Sequence, residues 1–281
     1  MPVWVGVVIA AGLGASAGHR LSGRLSARQA LPVTNYRGLT VAGAGGIAVS
    51  VSALLVLGVL SLVARAAGDS FPPGMSGAAA VVAAALTGFG LLGFWDDVAA
   101  DEEPRGWAAH LRALARGEPT GGALKLGVGA ALGIVIAASL DPGLWGTIVR
   151  GALIAMSANL INLLDLRPGR AGKYGLLFGG GLLAAAVLIA PAFAAPLAAV
   201  AGAVAAFLPF DLQERALLGD AGANAVGAAL GVVAVVVSPA PVEAAILIVL
   251  VWLHVLADRP GLSRMIEAVP ALRRFDRLGR P

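Results

Sequence analysis

Residues 76–97 read SGAAAVVAAALTGFGLLGFWDD, an uncharged run that ends at two adjacent aspartates, Asp96 and Asp97. The part 76–94 is long enough to cross a bilayer, because the hydrocarbon core takes about 20 apolar residues, with a lower limit of roughly 17. A helix satisfies its own backbone hydrogen bonds, so we expect this run to be a transmembrane helix. The carboxylate pair then lies at the membrane boundary.

The composition of the whole chain agrees with this interpretation. Of the 281 residues, 58% are hydrophobic and 13% are charged, whereas soluble domains are about 45–50% apolar and about 25% charged. The chain has no cysteine and three histidines. This excludes disulfides and thiolate metal sites and argues against a multi-histidine zinc centre.

Nine segments fit the length of a membrane span, some at its short end: 2–18, 40–64, 76–94, 122–140, 144–163, 174–190, 194–209, 223–238 and 242–257. The sequence therefore predicts an all-α, polytopic transmembrane helical bundle of about nine spans over residues 1–257. The first segment lacks a basic leader, so we expect a retained helix and not a cleaved signal peptide. Residues 258–281 form a basic C-terminal segment, interpreted as one amphipathic helix that is solvated or faces lipid.

The basic residues predict an orientation. One face carries 19–39, 95–121, 164–173, 210–222 and 258–281, and these segments together with Lys125 hold all but two of the 20 Lys and Arg residues. Basic residues concentrate in cytoplasmic loops, so this face is expected to be cytoplasmic in a plasma membrane, with the N-terminus outside. The same bias explains the net charge of +4, and no nucleic-acid partner is expected. Asp141-Pro142-Gly143 is the clearest turn on the outer face.

The pair Asp96 and Asp97 is the sharpest local signal. Two adjacent carboxylates at a membrane boundary repel each other and need a cation, a proton or a basic partner. Hard oxygen ligands of this type suit Mg²⁺, which often lies between carboxylates and phosphates. A charged helix end that simply faces water is the alternative at this point.

A second signal ends the fifth predicted span. Asn159, Asn162 and Asp165 are spaced i, i+3, i+6 and share one helical face. Polar groups inside a bundle need partners or a water-filled cavity, although hydrogen bonding between helices explains a single asparagine well. The basic turn that follows contains Arg167, and an arginine fork suits phosphate oxygens.

A third signal is Gly219-Asp220-Ala221-Gly222, at the start of the eighth span. Glycines permit a close backbone approach and a helix N-terminus favours anions, but an ordinary aspartate N-cap explains the pattern equally well. Two weaker basic elements are Lys125, which opens the fourth span, and Asn35-Tyr36-Arg37-Gly38, which precedes Gly45-Gly46.

Taken in order, these motifs resemble the polyprenyl-phosphate N-acetylhexosamine-1-phosphate transferase superfamily, which includes phospho-N-acetylmuramoyl-pentapeptide transferase. The resemblance covers about residues 30–265 and rests on five stretches: Asn35 to Gly38 with Gly45-Gly46, Gly93 to Asp97, Lys125-Leu126, Asn159 to Asp165, and Gly219 to Gly222. It implies transfer of a sugar-1-phosphate from a UDP-sugar to a polyprenyl (undecaprenyl) phosphate, with release of UMP. It also implies an Mg²⁺ cofactor and raises a homodimer as the assembly.

The resemblance implies roles for individual residues. Asp220 is the expected principal Mg²⁺ ligand, and Asp96 and Asp97 are the expected pair that assists the lipid phosphate, with Asp97 also supporting the metal. The substrate-binding residues would be Lys125, Asn159, Asn162, Asp165, Arg167, Asn35 and Arg37.

The chain departs from the family pattern at two places. Pro168 replaces the second aspartate of an Asp-Gly-x-Asp-Gly stretch, and the C-terminal loop Asp258 to Arg264 has no histidine. Two other hypotheses stay open on the sequence: a non-catalytic relative that binds the lipid or nucleotide sugar or serves as a scaffold, and a transporter or channel.

Overall fold

The computed structural model describes residues 2–68, 71–98, 116, 120–140, 143–257 and 261–280. Within these ranges there are eleven helices and one short hairpin. The elements are α1 (Val3–Ala27), β1 (Pro32–Thr34), β2 (Thr40–Ala42), α2 (Gly45–Ala67), α3 (Met75–Val98), α4 (Gly121–Leu140), α5 (Leu144–Leu164), α6 (Arg170–Ile189), α7 (Pro191–Leu212), α8 (Gly219–Val237), α9 (Ala240–Ala257), α10 (Gly261–Ala268) and α11 (Pro270–Arg277). The predicted turn at Asp141-Pro142, most of the 95–121 connection and residues 258–260 lie outside the described residues.

Eight helices, α2 to α9, are long and apolar enough to cross a membrane. They match the second to ninth predicted segments, so the all-α polytopic bundle is confirmed. The first predicted segment, 2–18, lies inside α1, which continues to Ala27 and is not among the eight. His19, Arg20 and Arg24 make the last third of α1 polar. The side of the membrane that each terminus faces stays a prediction.

Helix α8 forms the centre of the bundle. In its apolar stretch 83% of the residues are buried, against 22% for α4 and 11% for α9, whose open sides are left for lipid. Helices α2, α3 and α5 all pack on α8. The approach is close because the contacts are made by small residues: a Cβ added at Gly46 would lie 2.6 Å from Gly222 Cα, and one at Gly227 would lie 2.6 Å from Ala158 Cα.

We call the end of the bundle where α8 begins the polar end. It also contains the last turns of α3, α5 and α7 and the first turns of α4 and α6, as the contacts described below show. The β1–β2 hairpin adds to it, with Val33 paired to Val41. The Leu217 N–H donates to the Ala42 carbonyl at 2.8 Å, which fixes the hairpin to the loop before α8.

The C-terminal segment, here residues 261–280, differs from the single anchor helix that was expected. It forms two short helices, because Pro270 begins α11 and cannot continue the hydrogen bonding of α10. Its buried side includes Leu262, Ile266 and a fully buried carboxylate, Asp276. The segment therefore packs against the polar end, while Arg273, Arg274 and Arg277 stay exposed.

Candidate functional site

The site is built around the first residues of α8. Gly219 has φ +69°, a conformation that glycine adopts readily and other residues rarely do. It lets the chain turn into α8 directly beside the end of α3. A Cβ at Gly93 of α3 would touch the Asp220 carbonyl and lie 2.7 Å from the Ala221 nitrogen. Glycine at both positions therefore brings Asp220 against α3.

Asp97 binds the backbone at this junction. Its two carboxylate oxygens accept the N–H groups of Asp220 at 3.1 Å and Ala221 at 3.0 Å. The first N–H groups of a helix have no partner within the helix, and an anion there is also favoured by the helix dipole. Asp97 thus caps α8 from a neighbouring helix and determines where Asp220 lies.

Asp165 holds the same helix end from the other side. Its Oδ2 accepts the Gly219 N–H at 2.9 Å. Burial raises the pKa of Asp165 well above its ordinary value, and the charge of nearby Asp211 acts in the same direction. Carboxylates from α3 and from the end of α5 thus accept the N–H groups of three consecutive residues at the start of α8, Gly219, Asp220 and Ala221.

Lys125 supplies the positive charge of the cluster. Its Nζ donates to Asp96 Oδ2 at 2.5 Å and also contacts Asp220 Oδ2. Asn162 Nδ2 donates to the same Asp220 oxygen at 3.0 Å. Side chains from α3, α4, α5 and α8 therefore meet at one carboxylate, and the position between Asp96 and Asp220 is one that favours a cation.

A second polar cluster lies next to the first and centres on Glu214, in the loop between α7 and α8. Asn35 Nδ2 donates to Glu214 Oε2 at 2.9 Å, and Arg37 Nε lies 3.2 Å from Glu214 Oε1. A hydrogen bond to Tyr36, followed by the charge of Glu214, raises the pKa of Arg37. The Arg167 guanidinium lies 4.8 Å from the centre of the Tyr36 ring, so the two clusters are joined through the turn that follows Asp165.

The structure thus brings together Asp96, Asp97, Lys125, Asn162, Asp165 and Asp220 in the first cluster, and Asn35, Arg37 and Arg167 in the second. Asn159 lies on α5 one turn before Asn162 and is half-buried. In the described part of the chain, no hydrogen bond joins the Asn159 side chain to the other site residues.

The carboxylates do not form a closed metal cage. Among the described residues there is no group of three or more His, Cys, Asp or Glu side chains arranged to hold a metal. Both Asp97 oxygens are already engaged by backbone N–H groups. The two carboxylates that converge on one positively charged group, the Lys125 ammonium, are Asp96 and Asp220.

Sequence reasoning missed four polar residues of the polar end: Asp211, Glu214, Arg170 and Asp276. Asp211 and Glu214 lie in the connection 210–222 of the predicted cytoplasmic face, and acidic residues near a membrane boundary are costly without partners. Asp276 is the only acid in α11 and lies four residues before Arg280. That spacing is a signal for the ion pair of Asp276 with Arg280, but not for the buried pair with Arg170.

Comparison with known proteins agrees with the geometry. The family model described as Glycosyl transferase family 4 matches residues 79–238, more than half of the chain, and this range contains every residue of the first cluster. No curated protein gives a significant match. The chain belongs to glycosyl transferase family 4, the family of polyprenyl-phosphate sugar-1-phosphate transferases.

Proposed function

We propose that the protein transfers a sugar-1-phosphate from a UDP-sugar to a polyprenyl phosphate such as undecaprenyl phosphate, and that it does so at the cytoplasmic face of the plasma membrane. The observation that carries the proposal is the convergence of Asp96, Lys125 and Asp220 on one position, with Asp97 and Asp165 holding the helix that bears Asp220. Phosphoryl transfer depends mainly on positioning and on neutralising phosphate charge, and this arrangement supplies both.

The donor set fits a bound Mg²⁺. In phosphoryl-transfer sites Mg²⁺ is usually held by one or two carboxylates together with substrate phosphates and water. Asp96 and Asp220 are two carboxylates that already converge on a cationic group, the Lys125 ammonium. They are the residues that would hold Mg²⁺, and the ion would neutralise the charge of the phosphates when it is bound. The role of metal ligand for Asp97 stays a prediction from the sequence.

Our proposal gives Asp97 and Asp165 positioning roles. The carboxylate oxygens of each residue accept hydrogen bonds from backbone N–H groups at the start of α8. They keep the Asp220 carboxylate pointed at Lys125 and Asn162.

The residues of the second cluster suit the nucleotide donor. Arg37 and Arg167 both lie over the exposed Tyr36 ring, and arginines are suited to phosphate oxygens and to planar groups. We assign Arg37, Arg167 and Asn35 to the donor side, with Asn159 and Asn162 on the wall formed by α5. Lys125 would contact a phosphate between the two sides.

The reaction balances without any redox partner. An oxygen of the lipid phosphate attacks the β-phosphorus of the UDP-sugar and forms a new P–O–P link. The bond from that phosphorus to the bridging oxygen of the α-phosphate breaks, and UMP leaves with that oxygen. The product is a sugar linked to the lipid through a pyrophosphate. Lys125 would lower the charge repulsion between the two phosphates as they approach, and Mg²⁺ held by Asp96 and Asp220 would supply further positive charge when it is bound.

The direct test is to incubate the purified protein with Mg²⁺, undecaprenyl phosphate and a panel of UDP-sugars, and to measure UMP together with the lipid product. We expect UMP with at least one sugar, in an amount that matches the lipid-linked sugar. Omission of the lipid, or addition of a chelator, should stop UMP release. Folded protein that releases no UMP with any sugar would contradict the proposal and favour a non-catalytic binding role.

A further inference from the structure

The C-terminal segment makes its most buried polar contacts at the turn that links α5 to α6. This turn, residues 165–169, begins at Asp165 and contains Arg167, so it contributes to both clusters of the site. It is followed directly by Arg170, the first residue of α6. The contacts of this turn decide how firmly Asp165 and Arg167 are placed.

A buried ion pair joins the first residue of α6, directly after the turn, to α11. Arg170 is 2% exposed and Asp276 is 0% exposed, and the two make a two-pronged contact, Nε to Oδ1 at 2.8 Å and Nη2 to Oδ2 at 3.0 Å. Burial acts to raise the pKa of Asp276, but the hydrogen bond and charge of Arg170, with help from Arg280, outweigh it and leave that pKa below its ordinary value. The carboxylate is therefore ionised at neutral pH.

Arg280 connects this ion pair to the turn itself. Its Nε donates to the Pro168 carbonyl at 2.8 Å, while its Nη2 donates to Asp276 Oδ1 at 2.8 Å. Lys173, one turn into α6, donates in the same way to the carbonyls of Asp276 at 2.5 Å and Leu278 at 2.9 Å. The C-terminal segment thus holds both the turn and the start of α6.

The other side of the turn is held by the bundle. The Gly169 N–H donates to Asp211 Oδ2 of α7 at 3.0 Å, and Asp165 Oδ2 accepts the Gly219 N–H of α8 at 2.9 Å. Three hydrogen bonds therefore hold the turn, to α7, to α8 and to Arg280, in addition to the contact of Arg167 with the Tyr36 ring. Of these three, only the contact with Arg280 comes from outside the transmembrane helices.

We propose that the C-terminal segment is a positioning element of the site, in which Arg280 and the Arg170–Asp276 pair hold the 165–169 turn so that Asp165 keeps α8 and Asp220 in place. The proposal rests on the proposed function for its effect on turnover. Its structural part, the immobilisation of the turn, does not depend on that function. The stretch from Asp258 to Arg264 has no histidine. In this chain a basic residue farther along the C-terminal segment, Arg280, contacts the turn.

The variant to examine is Arg280→Gln, with Arg277→Gln as its matched control. Arg277 lies on the same segment, but its side chain is 64% exposed and pairs with exposed Glu267 at 2.9 Å, so its loss should leave the turn unchanged. Arg280→Lys is an intermediate variant, since a lysine keeps the charge beside Asp276 but lacks the planar fork that also reaches Pro168.

Two readouts are compared in the full-length protein: amide hydrogen exchange of the peptide that contains 165–169, and kcat and KM for the donor. In Arg280→Gln we expect the Gly169 amide to exchange about 10-fold faster. Opening of the turn then no longer has to break the hydrogen bond from Arg280 to the Pro168 carbonyl. We expect kcat to fall about 10-fold, since a displacement of about 1 Å at a site can cost up to about 100-fold. The melting temperature and the exchange of α8 beyond its first turn should match those of Arg277→Gln.

A turn that stays as protected as in the wild type would overturn the proposal, and so would a turn that loosens while kcat is unchanged. Arg280→Lys should fall between wild type and Arg280→Gln in both readouts, and equal values for the Lys and Gln variants would count against the role of the fork. If the wild type shows no turnover with any donor, the proposed function fails, and exchange at Gly169 still decides whether the segment holds the turn.

Discussion

Asp220→Asn is expected to reduce UMP release about 1,000-fold or more while the protein stays folded. Asparagine has nearly the same shape and can still accept from Asn162, but it lacks the negative charge that Lys125 and the proposed Mg²⁺ require. Loss of one preorganised electrostatic contact in an active site commonly costs about 100-fold to 1,000-fold in rate. Asp220→Asn would weaken two such contacts, with Lys125 and with the proposed Mg²⁺. The measurement is the UMP assay on detergent-purified variant and wild type.

The control for this variant is Glu267→Gln, which removes an exposed carboxylate from the same end of the bundle and should retain wild-type turnover. A melting curve of Asp220→Asn close to that of the wild type establishes that the loss is not unfolding. Turnover near the wild-type level in Asp220→Asn would remove this residue from the centre of the site.

Asp97→Asn is expected to lower turnover about 100-fold and to lower the melting temperature as well. A neutral amide has one acceptor oxygen in place of two, so one of the N–H groups of Asp220 and Ala221 loses its partner. Loss of a helix-capping acceptor costs about 0.5–2 kcal/mol, and the first turn of α8 should shift. Amide exchange at Ala221 should rise together with the loss of rate.

The dependence on Mg²⁺ separates the two roles considered for Asp97. If Asp97 only positions α8, the reduced rate of Asp97→Asn should not recover as the Mg²⁺ concentration is raised. Recovery at high Mg²⁺ would show that Asp97 contributes to metal affinity, as the resemblance to the family implied. A stable variant with full activity at ordinary Mg²⁺ would contradict both roles.

Much of the fold could be predicted from the sequence because the bilayer imposes a simple rule of length and polarity. Eight predicted spans match α2 to α9, with ends that differ by a few residues. The predicted span 2–18 covers only the apolar part of α1, which continues to Ala27, since helix propensity does not stop where hydrophobicity stops. The short β1–β2 hairpin was not predicted, because its strands have only three residues each, and the bridge from Ala42 to Ala216 that attaches it joins residues remote in sequence.

The acidic residues of the site could be recognised because carboxylates at a membrane boundary are rare and costly. The different roles of these carboxylates could not be recognised from the sequence. Asp97 and Asp165 could only be assigned as positioning groups once their backbone partners, Asp220, Ala221 and Gly219, were known. These hydrogen-bond partners depend on how three helices cross, and the crossing geometry cannot be inferred from a single sequence.

The role of the C-terminal segment was also beyond the sequence. Its basic residues predicted a solvated or lipid-facing helix, and that interpretation describes Arg273, Arg274 and Arg277, which are exposed. It does not describe Arg280 or Asp276, which are turned toward Arg170 and Pro168. Amphipathic periodicity identifies a face, but it does not identify which buried ion pair that face completes.

The central claim, that Asp220 holds a divalent cation against the phosphates of the donor, is tested most directly by Mn²⁺ binding. Mn²⁺ is a hard cation that replaces Mg²⁺ at oxygen sites and is visible by electron paramagnetic resonance. With UDP present, we expect the wild type to bind about one Mn²⁺ per chain and Asp220→Asn to bind none at the same concentrations. Equal Mn²⁺ binding by wild type and Asp220→Asn would contradict the account.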